Sequence, residues 1–554
     1  MNKRWLIPKT ESPLAETFSR ELGLSRPLAL TLVRRGYRDT QAAERFLQPR
    51  LRQLADPFTM PDMNVAVTRI THALARRERI VIYGDYDVDG LTSSALLTRL
   101  LRAVGGEVAW FLPHRVDEGY GLSRDGIARC LRERAPQLLV AVDCGTNSTA
   151  EIHALREQGI DTIILDHHEL STALPGSVAL VNPKRGNEEP LASVGIVFKL
   201  AHALLKTHRQ WDLDLREYLD LVALGTVADV VPLVDDNRIL VKKGLEQLAR
   251  TNKTGLRALM NIAGVADPVT PYHIGFRLGP RLNAAGRLAD ASAALELLLT
   301  DDETRATELA ERLHRQNAQR QQIEEQILQE ALAQAEQQRE ARVLVLSHPD
   351  WHIGVIGIVA ARVAQEFYRP CVVIGADGKG SCRSIPGFSI VAALNECAPL
   401  LERFGGHEMA AGLTVRPENV SNVCQRLNEI AARCLSEEDR IPTVTIDAVV
   451  RLAELDTEFF ASLDKLEPCG PANPTPVFMV RDVHVRGAPR IVGGKHLRFA
   501  VTDGATTAAA IWFGGGQAAL PSGAMDVAFT AELETFGGVP TVSLRVRDVR
   551  PATE

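Results

Sequence analysis

The sequence predicts an α/β protein of several domains: a parallel sheet covered by helices, a long connecting helix, a second α/β domain and a small C-terminal β-barrel. Three observations predict it. Short, continuously apolar runs alternate with helical stretches between about 65 and 185, the pattern of strands buried on both faces. Residues 300–342 hold no Gly and no Pro and are rich in Glu, Gln, Ala, Arg and Leu, all good helix formers. Beyond 442, short strand-like runs are broken by Gly and Pro, which suits a small barrel.

The 554 residues suffice for about three to four domains. Residues 1–60 read as an N-terminal helical segment, with a helix ending on Gly36. The main domain is expected over 61–300, with strands at 79–83, 138–142 and 162–165 and helices at 91–104, 123–134 and 149–158. Its second half is mainly helical, clearest at 219–231 and 291–299. The connecting helix covers 301–341, carries an apolar stripe (Leu309, Leu313, Ile323, Ile327, Ala331) and is either continuous or broken in two. The second α/β domain spans 342–436, a polar linker follows, and the barrel takes 442–554.

Composition narrows the function. With 63 basic and 69 acidic residues the net charge is −6, which excludes a wholly basic DNA-coating protein but not local basic patches. Eight cysteines form no CxxC pair, so a zinc ribbon is not expected and free thiols in a reducing cytosol are. The N-terminal MNKRWLIPKTESPLAE has no sustained apolar core, and no run of about 18 apolar residues exists. The expectation is a cytoplasmic protein with no membrane partner.

Each of the three strands ends in an acidic residue. In open α/β sheets that edge is where ligands bind. One such Asp is as well explained by a turn or a helix cap; three in succession are not. Gly84-Asp85-Tyr86-Asp87-Val88-Asp89-Gly90 sets three carboxylates at alternate positions, which an extended segment would point to one side. Like charges so crowded call for a divalent cation, and oxygen ligands favour Mg²⁺ or Mn²⁺, imidazole tilting the choice to Mn²⁺. An EF-hand is excluded: the twelfth residue from Asp85 is Leu96, and a strand precedes the loop. Asp143 adds a fourth carboxylate and Asp166-His167-His168 adds imidazole. Asp229 lies in the apolar run 224–232 and is either paired with a metal or a helix-end residue.

The motifs GDYDVDG, VDCG, LDHH and GTVADVVPL, in this order, resemble the DHH phosphoesterase superfamily. A longer set resembles the RecJ family of bacterial single-strand-specific 5′→3′ exonucleases: HRVDEGYGL, GPRLNAAGRL, WHIGVIGIVAARV, GKGSCRSIPGFSI and GGHEMAAG. The resemblance covers about residues 50 to 554. It implies a DHH domain, a DHHA1 substrate-binding domain and an OB-like nucleic-acid-binding barrel. It also implies a two-metal phosphodiesterase acting in DNA repair and recombination. Asp87, Asp89, Asp143, His167 and Asp229 are the implied ligands, with Asp143 and one acid of the first motif bridging two Mn²⁺ or Mg²⁺ ions; no other cofactor is implied. Asp85 is either a further ligand or an acceptor behind the ligands. Asp166 would orient its neighbours. His168 would contact the scissile phosphate or protonate the leaving oxygen.

Arginine suits phosphate because its planar fork donates two hydrogen bonds at once. Arg115, Arg281, Arg287 and Arg383 are expected in Gly-rich or polar turns, with Asn283 between two of them. The resemblance implies a pocket of Arg115, Arg281, Ser381 and Arg383 for the 5′-terminal phosphate. Trp351 and His352 precede a helix expected near Gly354; Trp351 would either stack on a base or pack between elements. His407 lies in the second Gly-rich motif of the DHHA1 region. In the barrel, Arg481, Arg486, Arg490, Lys495 and Arg498 make a local basic excess, and Phe499, Trp512 and Phe513 are candidates for stacking or for the core. Pro471-Ala472 departs from the family, where a residue followed by Gly is expected. Single-stranded DNA is the expected partner, with single-strand-binding protein and a RecQ-type helicase implied, and the chain is expected to be a monomer. The rivals are a phosphodiesterase of nanoRNA or cyclic dinucleotides and a non-catalytic DNA-binding relative.

Overall fold

A computed structural model describes residues 3–8, 12–114, 118–119, 121–186, 191–288, 290–536 and 539–552. The chain forms two compact units. One comprises 41–317 together with 464–475; the other comprises 1–40, 318–463 and 476–554. The division therefore runs through both the N-terminal segment and the C-terminal stretch that the sequence presents as continuous.

The first unit is built on a five-stranded parallel sheet. Its strands lie in the order Val108–Phe111, Ile80–Gly84, Leu138–Val142, Asp161–Leu165, Ala179–Val181. The two central strands, Ile80–Gly84 and Leu138–Val142, are buried along their whole length, which is why they read as unbroken apolar runs. Register matters more than length. Gly84 pairs with Val142 and Val142 with Leu165, so three neighbouring strands end level with one another. The residues that follow them are Asp85, Asp143 and Asp166. The helices Val88–Ala103, Ser193–Thr207 and Leu219–Ala228 are largely buried and share the core on one side of this sheet.

In the second unit, a five-stranded mixed sheet runs Arg403–Gly406, Ala410–Thr414, Lys379–Arg383, Cys371–Ile374, Leu344–Ser347, with only the last pair parallel. The barrel follows the strands Phe478–Val492, His496–Thr502, Thr507–Trp512, Val539–Pro551 and Met525–Phe536, and closes when Met525–Phe536 pairs back onto Phe478–Val492. The N-terminal strand Arg4–Leu6 pairs in parallel with Thr443–Thr445.

The connecting helix is one unbroken element, Glu303–Gln337, of 35 residues. At 1.5 Å per residue it is about 52 Å long. Ala472 adopts φ 59°, in the left-handed region that Gly enters at least cost. The Gly expected there would thus have a backbone reason, and this chain bears an alanine in that conformation.

Candidate active site

The level strand ends bring the acids together, and the helices supply the rest. Asp85 follows Ile80–Gly84 directly and is fully buried. Asp87 caps the helix Val88–Ala103, its carboxylate accepting from the N–H groups of Asp89 and Gly90 at 3.0 and 3.1 Å. Asp89 lies in that helix's first turn. The three acids therefore do not alternate along an extended segment, as their spacing suggests. The chain turns from strand into helix between them, and the Gly90 that permits it has no room for a side chain, since a Cβ there would stand 2.5 Å from the Asp85 carbonyl oxygen.

Asp143, at φ 62°, turns the chain sharply at the end of its strand. Asp229 is the C-terminal cap of Leu219–Ala228. Three groups of potential ligands result, each with its donor atoms within 4.8 Å of one another: Asp85, Asp87 and Asp143; Asp89, His167 and Asp229; and Asp143, Asp166, His167 and His168. His167 Nε2 lies 3.4 Å from Asp143 Oδ1 and 3.5 Å from Asp229 Oδ2.

The electrostatics fit a cation. Burial, reinforced by Asp87, pushes Asp89 up to about 7. Burial, reinforced by Asp89 and Asp87, pushes Asp229 up to about 9. Asp143 is raised well above the usual carboxylate range by burial and then by Asp87 and Asp89. Among the described residues Asp229 Oδ2 is buried without a hydrogen-bond donor. Burial, helped by the neighbouring His168, lowers His167 to about 4, which keeps it neutral and able to ligate. These carboxylates would all be ionised, and the crowding relieved, by divalent cations.

Asp166 has a different task. Despite complete burial it is held below the usual carboxylate range, because its Oδ1 bonds His168 Nδ1 at 2.6 Å and its Oδ2 accepts from the Thr146 N–H at 3.0 Å. Burial works against a charged His168, but the Asp166 bond outweighs it and raises the imidazole. Asn182 completes the support, donating to Thr146 Oγ1 and to the His168 carbonyl.

Sequence reading missed Ser193. It opens the helix Ser193–Thr207, its hydroxyl donates to Asp143 Oδ1 at 3.0 Å, and its N–H and that of Val194 hold Asp89 at 2.6 and 2.9 Å. A lone Ser in an apolar helix start carries no signal in one sequence; only the fold brings it to the acids.

Three domain models match the chain: the DHH family N-terminal domain over 79–226, the DHHA1 domain over 340–433 and the RecJ OB domain over 446–548. A crystal structure of RecJ with Mn²⁺ from Thermus thermophilus superposes with a TM-score of 0.88 at 32% identity, covering 100% of this chain and 80% of that one. The single-stranded-DNA-specific exonuclease RecJ of Bacillus subtilis is 38% identical over 93% of this chain, which spans 66% of its length. The RecJ of Dickeya dadantii is 38% identical, with 88% of each chain covered. The chain belongs to the RecJ family. It has the fold the family shares: a DHH domain on a parallel sheet, a DHHA1 domain and a C-terminal OB-type barrel. RecJ has been crystallised with Mn²⁺ and with Mg²⁺, in keeping with the acid cluster here. Among the described residues no helix is long and apolar enough to cross a membrane.

Several residues expected to read the substrate of this RecJ-family chain are placed otherwise. Arg281, Asn283 and Arg287 are on a helix, Gly279–Leu288, not in a turn, and a π-helical turn, Ile274–Leu278, leads into it. Its Gly286 serves close packing, since a Cβ there would stand 3.0 Å from the Tyr86 carbonyl of the acid loop. Asn283 and Arg287, four apart, share a face. Arg281 donates to the Arg277 carbonyl and to His314 Nδ1.

In the other unit, Ser381 and Arg383 lie on the strand Lys379–Arg383, again not in a turn. Arg383 donates to Ser381 Oγ at 3.2 Å, and both approach Gly357 in the first turn of Ile356–Phe367. The His352 carbonyl accepts from Ile356 in the same turn, while His407 is exposed between the strands Arg403–Gly406 and Ala410–Thr414. Trp351 cannot stack on a base: it is 2% exposed and its indole donates to Glu330 at 2.7 Å. Arg115 lies outside the described residues.

In the barrel, Arg481, Arg486, Arg490, Lys495 and Arg498 are all exposed. Phe499 belongs to the core, Trp512 is half-buried, and Phe513 is 50% exposed with Arg545 over its ring.

Proposed function

We propose that this chain is a metal-dependent exodeoxyribonuclease that hydrolyses single-stranded DNA from the 5′ end, releases 5′-mononucleotides and serves DNA repair and recombination. The observation that supports it most is that Asp89, His167 and Asp229 bring their donor atoms within 4.8 Å of one another, as do Asp85, Asp87 and Asp143, with His167 only 3.4 Å from Asp143. Two Mn²⁺ or Mg²⁺ ions there supply acidification of the attacking water and offset charge on phosphorus. Asp143, common to the group with Asp85 and Asp87 and the group with Asp166, His167 and His168, would serve both ions. Asp85 is a ligand or backs the ligands from beneath. Asp166 fixes the His168 ring through Nδ1, leaving Nε2 to hold the scissile phosphate or give a proton to the leaving oxygen.

The catalytic work falls to 61–300, joined through 301–341 to end recognition in 342–436, with strand holding in 442–554 and residues 1–60 as a helical preface. Ser381 and Arg383 beside a helix N-terminus suit a terminal phosphate, which carries more charge than an internal diester. Arg115, Arg281, Asn283, Arg287, His352 and His407 are further candidates for strand contact. The barrel's exposed cations and Phe513 suit a strand of any sequence. The same reading makes the chain a cytoplasmic monomer with single-strand-binding protein and a RecQ-type helicase as partners.

The test uses matched single strands labelled at either end, with and without chelator. Asp143→Ala is expected to abolish hydrolysis while leaving strand binding nearly intact. More than about a tenth of the wild-type rate in saturating Mn²⁺ would overturn the two-cation assignment.

A further inference from the structure

We propose that residues 465–473 are a strap that holds the Asp229 turn in its working shape, with Arg238 and Asn473 as positioning residues. The inference rests on Asp229 being a metal ligand. It starts from strain. Between the helices Leu219–Ala228 and Asp235–Ala249, Val230 sits at φ 65°, and Asp235, the first residue of the second helix, at φ 41°. A β-branched residue in the left-handed region is a true outlier, and such a conformation persists only where the surroundings impose it. Val230 is 66% exposed, so its own side chain imposes nothing.

The strap does. Its Pro471 carbonyl accepts from the Leu233 N–H at 2.8 Å. Its Gly470 lies so close that a Cβ would stand 2.6 Å from Leu233 Cδ1. One turn into the second helix, Arg238 is 1% exposed and donates to five carbonyls: Phe46 at 2.7 Å, Lys465, Leu466 and Glu467 each at 3.0 Å, and Pro468 at 3.1 Å. Four consecutive strap carbonyls thus converge on a single guanidinium, the one side chain with five donors. Asn473, 1% exposed, ties the strap to itself, donating to the Leu466 and Pro468 carbonyls at 2.9 and 2.8 Å. The turn is therefore gripped at Leu233 and at Arg238 by a segment more than 200 residues away in sequence. That segment leads within a few residues into Phe478–Val492, the first long strand of the barrel. Asp229, 3.5 Å from His167, takes its aim from that grip.

The test measures Mn²⁺ affinity by calorimetry on the full chain, with thermal melting as a check of folding. Asn473→Ala and Arg238→Lys are expected to weaken Mn²⁺ binding about tenfold or more, as removal of supports behind a ligand commonly does. Adding Val230→Gly to Asn473→Ala is expected to recover at least half of that loss on a logarithmic scale, because Gly enters the left-handed region without the steric cost that the strap offsets for Val230. A general loss of stability would not be repaired at the metal by that change. Should Arg238→Lys not fold, Asn473→Ala carries the test. Folded variants with wild-type Mn²⁺ affinity, or a loss untouched by Val230→Gly, would overturn the strap. Asp229→Ala is the control: unchanged Mn²⁺ binding there would sink the ligand reading and the strap with it, whereas a weakened control beside unaffected strap variants would sink the strap alone.

Discussion

Ser193→Ala removes one hydroxyl and little else. The residue opens its helix, so the backbone N–H groups of Ser193 and Val194 remain on Asp89. What disappears is the 3.0 Å hydrogen bond to Asp143 Oδ1. Hydrogen bonds to charged groups are worth about 1.5–3 kcal/mol, and each 1.4 kcal/mol is about tenfold in an equilibrium constant. On the proposed two-cation site the bond orients a carboxylate that would serve both ions, so its loss would fall on metal affinity. The lower end of the range applies, because Asp143 keeps the His167 ring at 3.4 Å and Asp89 keeps its clamp. We expect the Mn²⁺ concentration for half-maximal hydrolysis to rise about tenfold, with kcat at saturating metal within about threefold of wild type. Ser193→Thr, which retains the hydroxyl, should restore the wild-type metal requirement. The assay is a Mn²⁺ titration of mononucleotide release under saturating strand. An unchanged half-saturation point in a folded Ser193→Ala chain would refute the reasoning.

Two further expectations concern the ends of the reaction. Arg383→Ala should cost about ten- to a hundredfold in kcat/KM on 5′-phosphorylated strands and much less on 5′-hydroxyl strands; an equal fall on both would make Arg383 a general contact. Asp166→Asn should move the alkaline limb of the rate profile to lower pH: Asp166 raises His168 against the effect of burial, and a donor is active below its pKa and lost as pH rises through it. An unmoved limb would remove His168 from the role of proton donor.

Much of the site is legible in the sequence because an acid ending an apolar run marks the C-terminal edge of a parallel strand. Asp143 and Asp166 declare themselves in this way, and the level register that unites them follows from the strands' pairing. Asp85, Asp87 and Asp89 stand out in the sequence but with the wrong local shape, since alternate spacing fits a strand and a strand-to-helix turn equally well until Gly90's lack of room is seen. Gly-rich composition misleads at Arg281 and Arg287, because a glycine in GPRLNAAGR admits a neighbouring backbone rather than making a turn. Of the two readings open for Trp351, packing between elements is the one that holds, but its partner could not be named from the sequence: Glu330 comes from the connecting helix, and no local pattern announces a contact 21 residues distant. Ser193, Thr146 and Asn182 are invisible alone because their work depends on what lies opposite.

The raised carboxyls make the site an ion exchanger. Unfolded, these side chains titrate near 3.8; folded and metal-free, Asp89 holds its proton to about 7 and Asp229 to about 9. Over that window the folded chain carries protons the unfolded chain has shed, so the metal-free fold loses stability as pH rises from about 4 toward about 9. Cations entering at neutral pH must evict those protons. The heat of Mn²⁺ uptake should therefore differ between two buffers of unlike ionisation enthalpy, and identical heats would show that the acids were already bare. Loading the enzyme and shielding its fold from alkali are, on this view, one and the same exchange.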